Sequence, residues 1–404
     1  MRHFDLEDRL FWLAREDEIK RAETTDTYFV HTKQVMQKNK IDSIVVMEVY
    51  ARELPYQEKW GIVSGIYEVA KLLEGVPVDA WSFDEGAVFI ADSSTAIYEP
   101  IIVLEGRYSD FLEYETPLLG LLSSSTSIST RAARFRIAAG PKLLLSFGTR
   151  RVHPALSALV ERSSYIAGFD GVSNVLGAKL LHIRPSGTMP HALIQVLGDQ
   201  AKAWTLFDRT VSDDVSRIAL VDTFWDEKAE SIKALETLGP KLWGVRLDTP
   251  ASRRGDFRKI IEEVRWELNI RGGDKVKLIA SGRLDEEAVR RLRDVVDGYG
   301  VGTAVAYPPL IDFSAKIVEV KDGKREFRAK RGGLGGRKAV FRRKGYADVV
   351  CLEGRKPEGG IPLLKPLLSK GRIVRTYEGI ESIRSRVLKQ LRELEHSTPS
   401  ITSA

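Results

Sequence analysis

The sequence predicts an α/β protein: an irregular or incomplete α/β barrel, preceded by an α+β N-terminal domain and followed by a small β-rich C-terminal segment. Three observations predict it. From Lys142 onward, apolar runs of strand length (KLLLSFG, KLLHI, RIALVDTF, KLWGVRLDT, KVKLIASG and YGVGTAVA) alternate with helical stretches such as His153 to Ile166, Pro190 to Asp208 and Phe257 to Leu268. Alternation of this kind implies parallel strands joined by covering helices. Ahead of it, between Ile41 and Tyr108, the short β-type runs SIVVMEVY, WSFDEGAVFIA and EPIIVLEG surround one helical stretch near Gly65 to Leu73. Beyond Pro308-Pro309 the alternation stops and β-type runs return. About six strand–helix units suit a barrel better than an open sheet, and an open doubly wound sheet is the alternative. The expected division is 1–110 as the N-terminal domain, 111–308 as the catalytic barrel, 309–395 as the β-rich segment with a final helix, and 396–404 as a disordered tail.

Taken in order, residues 1 to 23 read as a polar amphipathic helix with Phe4, Leu10, Phe11, Leu13 and Ile19 on its apolar side. A break rich in hydroxyls follows, Thr24-Thr25-Asp26-Thr27-Tyr28. After Phe111 a long helix, LLGLLSSSTSISTRAARFRIAAG, ends on Gly140 before Pro141, the expected stop signal. The runs SAKIVEV, KAVFRR and YADVVCL supply strands that join the first domain or form a third. A helix from Ile380 to Glu395 precedes the polar tail HSTPSITSA.

Composition narrows the class. The 404 residues are 43% hydrophobic and 29% charged, without an apolar run long enough to cross a membrane. The start, MRHFDLEDRLFWLARED, lacks the apolar core of a secretory signal, and Cys351 is the only cysteine. Together these predict a cytoplasmic protein with no internal disulfide and no cysteine-held metal. The formal charge of +6 comes from one segment: residues 321–345 hold eleven Lys or Arg against two acids. Such a segment suits nucleic acid or a polyphosphate, or is a solvated face. Only three Asn and six Gln beside so many charges point toward a thermophilic source.

Chemistry-bearing residues gather where the predicted strands end. After KLLLS come Phe147, Gly148, Thr149, Arg150 and Arg151, two permanently charged forks beside a flat apolar ring. That combination wants an anion, either an aromatic acid or a phosphorylated sugar. Asp222 and Thr223 follow RIALV; Arg246, Asp248 and Thr249 follow KLWGV; Ser281 and Gly282 follow KLIA. Any one of these acids or hydroxyls is as well explained by capping the next helix, but their recurrence describes the mouth of a barrel. Gly300, Gly302 and Thr303 have the composition of a phosphate cradle, without a Walker lysine or a full dinucleotide fingerprint. Lys330 to Lys338, KRGGLGGRK, reads as a mobile basic flap or a plain hairpin loop. His191, in GTMPHA, opens a helix, where an imidazole is a competent nucleophile toward phosphorus.

In this order TTDTY, FGTRRVHP, GFDGVSN, GTMPHA, VDTFWD, GVRLDT, ASGRLDE and GVGT resemble the nicotinate phosphoribosyltransferases, relatives of the quinolinate and nicotinamide phosphoribosyltransferases. The resemblance runs from about Thr24 to Lys344. It implies synthesis of nicotinate mononucleotide from nicotinate and phosphoribosyl pyrophosphate, with Mg²⁺ and ATP, by a homodimer or larger homo-oligomer. It further implies that nicotinate stacks between Phe147 and Tyr28 of the other subunit, near Asp26, while Thr149 and Arg150 meet the base or a phosphate. Arg246, Asp248 and Thr249 orient base and ribose, and Asp170 and Asp222 line the site. Arg151, Ser281, Gly282, Gly300, Gly302 and Thr303 hold phosphate, and Lys316 and the basic flap face the pyrophosphate. His191 is the residue that carries a phosphoryl group. No structural metal is expected, because relatives that bind zinc at this end of the chain use cysteines that are lacking here. Quinolinate or nicotinamide as substrate, and a nucleic-acid-binding protein using 321–345, are the alternatives. His191 and TTDTY favour nicotinate over quinolinate, and the paired arginines favour an acid over an amide.

Overall fold

A computed structural model describes residues 9–249, 255–331 and 333–404. Phe4 of the predicted first helix and Gly332 of the basic flap lie outside the described residues. Of the helix predicted over 1–23, residues 1–8 lie outside the described residues, and residues 9–23 form only α1 (Glu16–Lys20), entered through a capping box in which Glu18 accepts the Arg15 N–H at 2.8 Å. Leu10, Phe11 and Trp12 are exposed, so no buried apolar face stabilises a longer helix there.

The first half of the chain then builds α2 (Thr27–Lys38), β1 (Ile44–Ala51), β2 (Trp60–Ile62), α3 (Ile66–Leu73), β3 (Val78–Ser82), β4 (Val88–Ile90), β5 (Ile102–Arg107), α4 (Tyr108–Phe111) and α5 (Glu115–Ala139). The next stretch supplies β6 (Leu143–Ser146), α6 (Ser157–Ile166), β7 (Gly171–Val172), α7 (Val175–Leu181), α8 (His191–Leu197), α9 (Gln200–Thr210), β8 (Arg217–Leu220), α10 (Glu227–Leu238) and β9 (Leu242–Leu247). It continues with α11 (Phe257–Asn269), β10 (Lys277–Ser281), α12 (Glu286–Leu292), β11 (Gly298–Val301) and α13 (Thr303–Ala306). Strands β6 to β11 form one parallel sheet in the order β7-β6-β11-β10-β9-β8. That is the circular order of a barrel with the link between β7 and β8 missing. The incomplete α/β barrel is therefore what the chain forms.

Two predicted elements differ. KLLHI is not a strand: Asn174 caps α7 by accepting the Gly177 N–H, and the run completes that helix before His182 turns left-handed at φ 56°. The strand in its place is the two-residue β7, which apolar periodicity is too short to reveal. The single helix expected from Pro190 to Asp208 is two, because Gly198 takes φ 69° and Asp199 caps α9 through the Lys202 N–H.

After Pro309 the chain adds β12 (Phe313–Asp322), β13 (Lys324–Phe327), β14 (Lys338–Arg343), β15 (Ala347–Leu352), β16 (Ile361–Pro362), β17 (Lys365–Ser369), β18 (Arg372–Ile373), α14 (Ile380–Leu394) and β19 (Ser400–Ser403). The chain divides into two compact units. One comprises the residues up to Thr126, Leu310–Gly379 and His396–Ala404; the other comprises Ser127–Pro309 and Ile380–Glu395. The segment expected to stand as 309–395 is thus divided. β12 pairs antiparallel along the whole of β1, which ties it to the first unit. α14 belongs to the barrel unit, where Glu381 accepts the Tyr165 hydroxyl at 2.7 Å. The tail expected to be disordered carries β19, parallel to β15 with Ile401 buried. In the first unit the core sits under the seven-stranded sheet β13-β12-β1-β5-β3-β17-β18, where Val46, Val103 and Val318 pack together.

Candidate active site

Six of the predicted residues, Phe147, His191, Asp222, Arg246, Asp248 and Ser281, converge where β6, β8, β9 and β10 end, and Arg246 is their centre. Its guanidinium donates through Nε to Ser281 Oγ, through Nη1 to Thr188 Oγ1 and through Nη2 to Asp248 Oδ2, each at 2.9 Å. It also lies 5.1 Å from the centre of the Phe147 ring. A planar fork held on three sides in this way cannot swing, and it presents a fixed positive face beside a flat apolar one. Ser281 donates in turn to Asp248 Oδ1 at 2.9 Å.

His191 sits between two carboxylates. Its Nε2 is 3.7 Å from both Asp222 Oδ1 and Asp248 Oδ2, and its Nδ1 is 3.0 Å from Thr223 Oγ1. Asp248 and then Asp222 raise the imidazole's affinity for a proton above the usual value. The reverse effect holds Asp248 at about 2, with His191 the largest cause and Arg246 and Ser281 assisting. Burial pushes Asp222 up to about 6, its side chain being 3% exposed. One Asp222 oxygen accepts the Asp248 N–H at 2.7 Å, and the other has no hydrogen-bond partner.

The glycines explain themselves sterically. Gly148 has φ −92°, an angle any residue can adopt. It is needed for close approach, since a Cβ there would lie 2.5 Å from Ala306 Cβ. A side chain at Gly300 would overlap the Phe147 ring, while Gly282 requires φ 93°. Gly302 leads directly into α13, which Thr303 opens. Phe147, half-buried, therefore keeps its place only because β11 is bare at Gly300.

The remaining predicted residues fall elsewhere. Thr149, Arg150 and Arg151 form a short turn just after Phe147, with both arginines exposed and neither within ion-pair distance of a described carboxylate. Thr249 donates to Glu227 at 3.1 Å. Asp170, which the resemblance puts in the site, is at the amino end of β7 instead. Its carboxylate is consumed there by Arg136 at 2.8 Å, Arg384 at 3.0 Å and the Leu144 N–H at 3.0 Å. Asp26, Tyr28 and Lys316 belong to the first unit, Asp26 accepting from Thr116 at 3.0 Å and Tyr28 being more than half exposed.

Sequence reasoning missed the groups that hold this set in place. Glu230, fully buried on α10, accepts the N–H groups of Thr223 at 3.1 Å, Phe224 at 2.8 Å and Trp225 at 2.8 Å, together with Gln200 Nε2 at 2.6 Å. Glu161 on α6 likewise accepts from the Ser173 and Asn174 N–H groups. Nothing distinguishes either glutamate in the sequence from an ordinary solvated helix face. Thr188 lies inside GTMPHA, but its hydroxyl gives no sign of an arginine 58 positions away. Among the described residues no group of three His, Cys, Asp or Glu is arranged to hold a metal ion, and no helix is long and apolar enough to cross a membrane.

Comparison with known proteins adds independent findings. Residues 26–126 match the family described as Quinolinate phosphoribosyl transferase, N-terminal domain, and residues 128–316 match its C-terminal domain. The crystal structure of the nicotinate-nucleotide pyrophosphorylase of Pyrococcus furiosus is 48% identical, covers 96% of this chain and 99% of its own, and superposes with a TM-score of 0.92. A nicotinate phosphoribosyltransferase of Mycobacterium tuberculosis, pncB2, is 29% identical over 87% of this chain and 83% of its own. Human nicotinic acid phosphoribosyltransferase, 20% identical with a TM-score of 0.73 over 94% of this chain and 97% of its own, shares the fold.

Proposed function

Since the chain belongs to the quinolinate phosphoribosyl transferase family, we propose that it is a nicotinate phosphoribosyltransferase of NAD biosynthesis. It would join nicotinate to C1 of phosphoribosyl pyrophosphate and release pyrophosphate, with ATP turnover coupled through phosphorylation of His191. The observation that carries the reading is the Arg246 clasp over Phe147, a fixed cation and an aromatic face at one strand-end mouth. The M. tuberculosis relative that matches 87% of this chain is named a nicotinate phosphoribosyltransferase, which favours nicotinate. Quinolinate is the second reading, because both family matches bear its name and the P. furiosus relative is named for nicotinate nucleotide and pyrophosphate.

In the reaction the ring nitrogen of nicotinate donates its lone pair to C1 while the C1–O bond breaks, and the electron pair leaves with pyrophosphate. Phe147 holds one face of the base, and Tyr28 of a partner subunit, beside Asp26, is assigned to the other. Arg150 and Arg151, free of carboxylates, take the base carboxylate or phosphate oxygens. Asp248 stays ionised at neutral pH and faces the ribose, where positive charge develops. Ser281, Gly282, Gly300, Gly302 and Thr303 receive the 5′-phosphate.

The donor set also fits Mg²⁺ carried on the substrate. The ion usually keeps several waters and one or two protein carboxylates, and here Asp222 and Asp248 offer two, one with a buried oxygen lacking any partner. Bound there, it would neutralise charge on the departing pyrophosphate. In the phosphorylation step His191 Nε2 gives its proton to Asp222, whose raised proton affinity suits an acceptor, and the freed lone pair attacks the terminal phosphorus of ATP while the P–O bond to ADP breaks and its electron pair leaves with ADP. Nδ1 stays paired with the Thr223 hydroxyl at 3.0 Å. With one buried cysteine and no pairing partner for it, the protein is assigned to the cytoplasm.

The test is pyrophosphate release from purified protein with phosphoribosyl pyrophosphate and Mg²⁺, offering nicotinate, nicotinamide or quinolinate, each with and without ATP. Release with nicotinate that rises with ATP, and loses that rise in His191→Ala, is the expected result. Carbon dioxide release from quinolinate would transfer the chain to the second reading.

A further inference from the structure

We propose that Glu227 and Glu230, about one turn apart on α10, are positioning residues that hold Asp222 and Asp248 at the spacing that His191 and the ribose require. The expected rates rest on the transferase reading above, whereas the frame itself does not. Both glutamates fall on the buried stripe of the helix, which runs Glu227, Glu230, Ser231, Ala234 and Leu238. A covering helix ordinarily fills such a stripe with apolar residues. Two carboxylates buried there are costly unless donors meet them.

The donors come from the residues that follow the two aspartates. Glu230 Oε2 accepts the Thr223 N–H at 3.1 Å, and Oε1 accepts those of Phe224 and Trp225 at 2.8 Å. The Phe224 and Trp225 side chains are 47% and 56% exposed, so this loop is anchored by its backbone and not by its rings. Glu227 Oε1 accepts the Thr249 hydroxyl at 3.1 Å. The aspartates are joined to each other as well, Asp222 Oδ2 accepting the Asp248 N–H at 2.7 Å. One helix thus pins the residue after each aspartate, and His191 sits inside that frame, with Nε2 3.7 Å from both carboxylates and Nδ1 3.0 Å from Thr223 Oγ1. A missing strand does not account for Glu227, because β9 is paired on both sides, by β8 and β10.

The two positions differ in what a neutral amide can replace. At 227 a glutamine still offers a carbonyl oxygen to the Thr249 hydroxyl. At 230 its carbonyl takes the side with more donors, that of Phe224, Trp225 and Gln200. Its NH₂ group then meets the Thr223 N–H, donor against donor. Glu230→Gln therefore releases Thr223 while the rest of the loop stays held, and Glu227→Gln releases nothing.

The test is steady-state pyrophosphate release with nicotinate, phosphoribosyl pyrophosphate, Mg²⁺ and ATP by the full-length parent, Glu230→Gln, Glu227→Leu and Glu227→Gln. Urea midpoints and the His191 ring-proton NMR signals of each protein accompany it. Expected is a kcat about tenfold lower in Glu230→Gln and Glu227→Leu at an unchanged KM for nicotinate, because the base rests on Phe147 and Arg246. Glu227→Gln should keep the parent's kinetics. The His191 signals should move in Glu230→Gln and stay in place in Glu227→Gln. Parent kcat in Glu230→Gln, whatever its urea midpoint, would overturn the proposal and leave that glutamate to the fold alone. So would an equal loss in Glu227→Gln and Glu227→Leu, which would put the effect on charge and not on the Thr249 hydroxyl. Protein that releases no pyrophosphate with any base would sink the transferase reading and leave the frame to the NMR arm, where unmoved His191 signals in Glu230→Gln would overturn it.

Discussion

Replacing Asp222 with Asn should make the protein more stable and less active, and the size of the gain follows from the site. The fold raises the carboxyl from the usual 3.8 to about 6, because burial outweighs the pull of His191. At about 1.4 kcal/mol for each tenfold change in proton affinity, the ionised group costs the native state up to about 3 kcal/mol near neutral pH. The sign is set by where protons bind. Below 3.8 folded and unfolded chains both carry the proton, and nothing is lost. As pH rises from there to about 6, the folded chain holds more protons than the unfolded one, so stability falls and the full cost is present above 6. Asn removes that cost and can still accept the Asp248 N–H through its carbonyl oxygen. Protonated His191 loses one of its two carboxylates in the exchange, which offsets part of the gain, leaving about 1–2 kcal/mol. Urea unfolding of both proteins at pH 8, 7, 5 and 4 should show the Asn variant ahead at pH 7 and 8 and level with the parent by pH 4. On the proposed phosphohistidine mechanism, the ATP-dependent part of turnover should fall at the same time, because His191 loses its proton acceptor. A variant that is less stable at every pH, or whose advantage does not change with pH, would refute the picture of a strained buried charge.

Other perturbations read the supporting structure. Glu230→Ala strips the acceptor from three backbone N–H groups and Gln200, and a urea midpoint should register about 3–5 kcal/mol of lost stability. Gly300→Ala pushes the Phe147 ring off its seat; the KM for nicotinate should rise roughly tenfold, the worth of an aromatic contact, with kcat changing less. Asp248→Asn removes the largest cause of the raised proton affinity of His191. In that variant the imidazole signal in a proton NMR titration should move toward 6.5, and the stability that the His191 ion pairs contribute, present at low pH and lost as pH rises through the imidazole's titration, should shrink. Deleting residues 399–404 removes β19 from the edge of β15 and uncovers the surface that Ile401 buries, so thermal unfolding should come earlier even though the site is untouched.

What could be read from the chain alone was set by sequence distance. The strands β6, β8, β9, β10 and β11 were legible because each is an apolar run closed by a polar or glycine residue, and parallel pairing then brings Phe147, Asp222, Arg246, Asp248 and Ser281 to one end automatically. His191 was legible from the proline before it. Strand β7 has only two residues, too few for periodicity, and the neighbouring KLL run looks equally apolar whether helical or extended. The tail looks disordered because SITS has one large apolar residue; its place is fixed by β15, some fifty positions earlier, which no local signal reports. Asp170 misled for the opposite reason. An acid beside a strand looks the same in sequence at either end of the strand, but only its position and its two arginines show that its charge is already neutralised.

That contrast extends through the whole barrel sheet. A closed barrel satisfies its backbone within the ladder, whereas this sheet stops at β7 on one side and β8 on the other, so the backbone just past those strands needs other partners. Buried carboxylates supply them: Glu161 for Ser173 and Asn174 beyond β7, Glu230 for Thr223 to Trp225 beyond β8. At the opposite ends of the strands the same device recurs with Asp170 on the Leu144 N–H and Asp297 on the Leu278 N–H, but there arginines accompany the acids, Arg136 and Arg384 on one and Arg265 on the other. Acids at the amino ends are thus neutralised in place. Among those at the carboxyl ends, Asp222 keeps one oxygen free of hydrogen bonds beside His191. Barrel incompleteness and site chemistry are therefore linked: the carboxylates that replace the missing ladder fix the loops on which Asp222 and Thr223 stand, and the absence of a guanidinium on Asp222 leaves it able to take a proton.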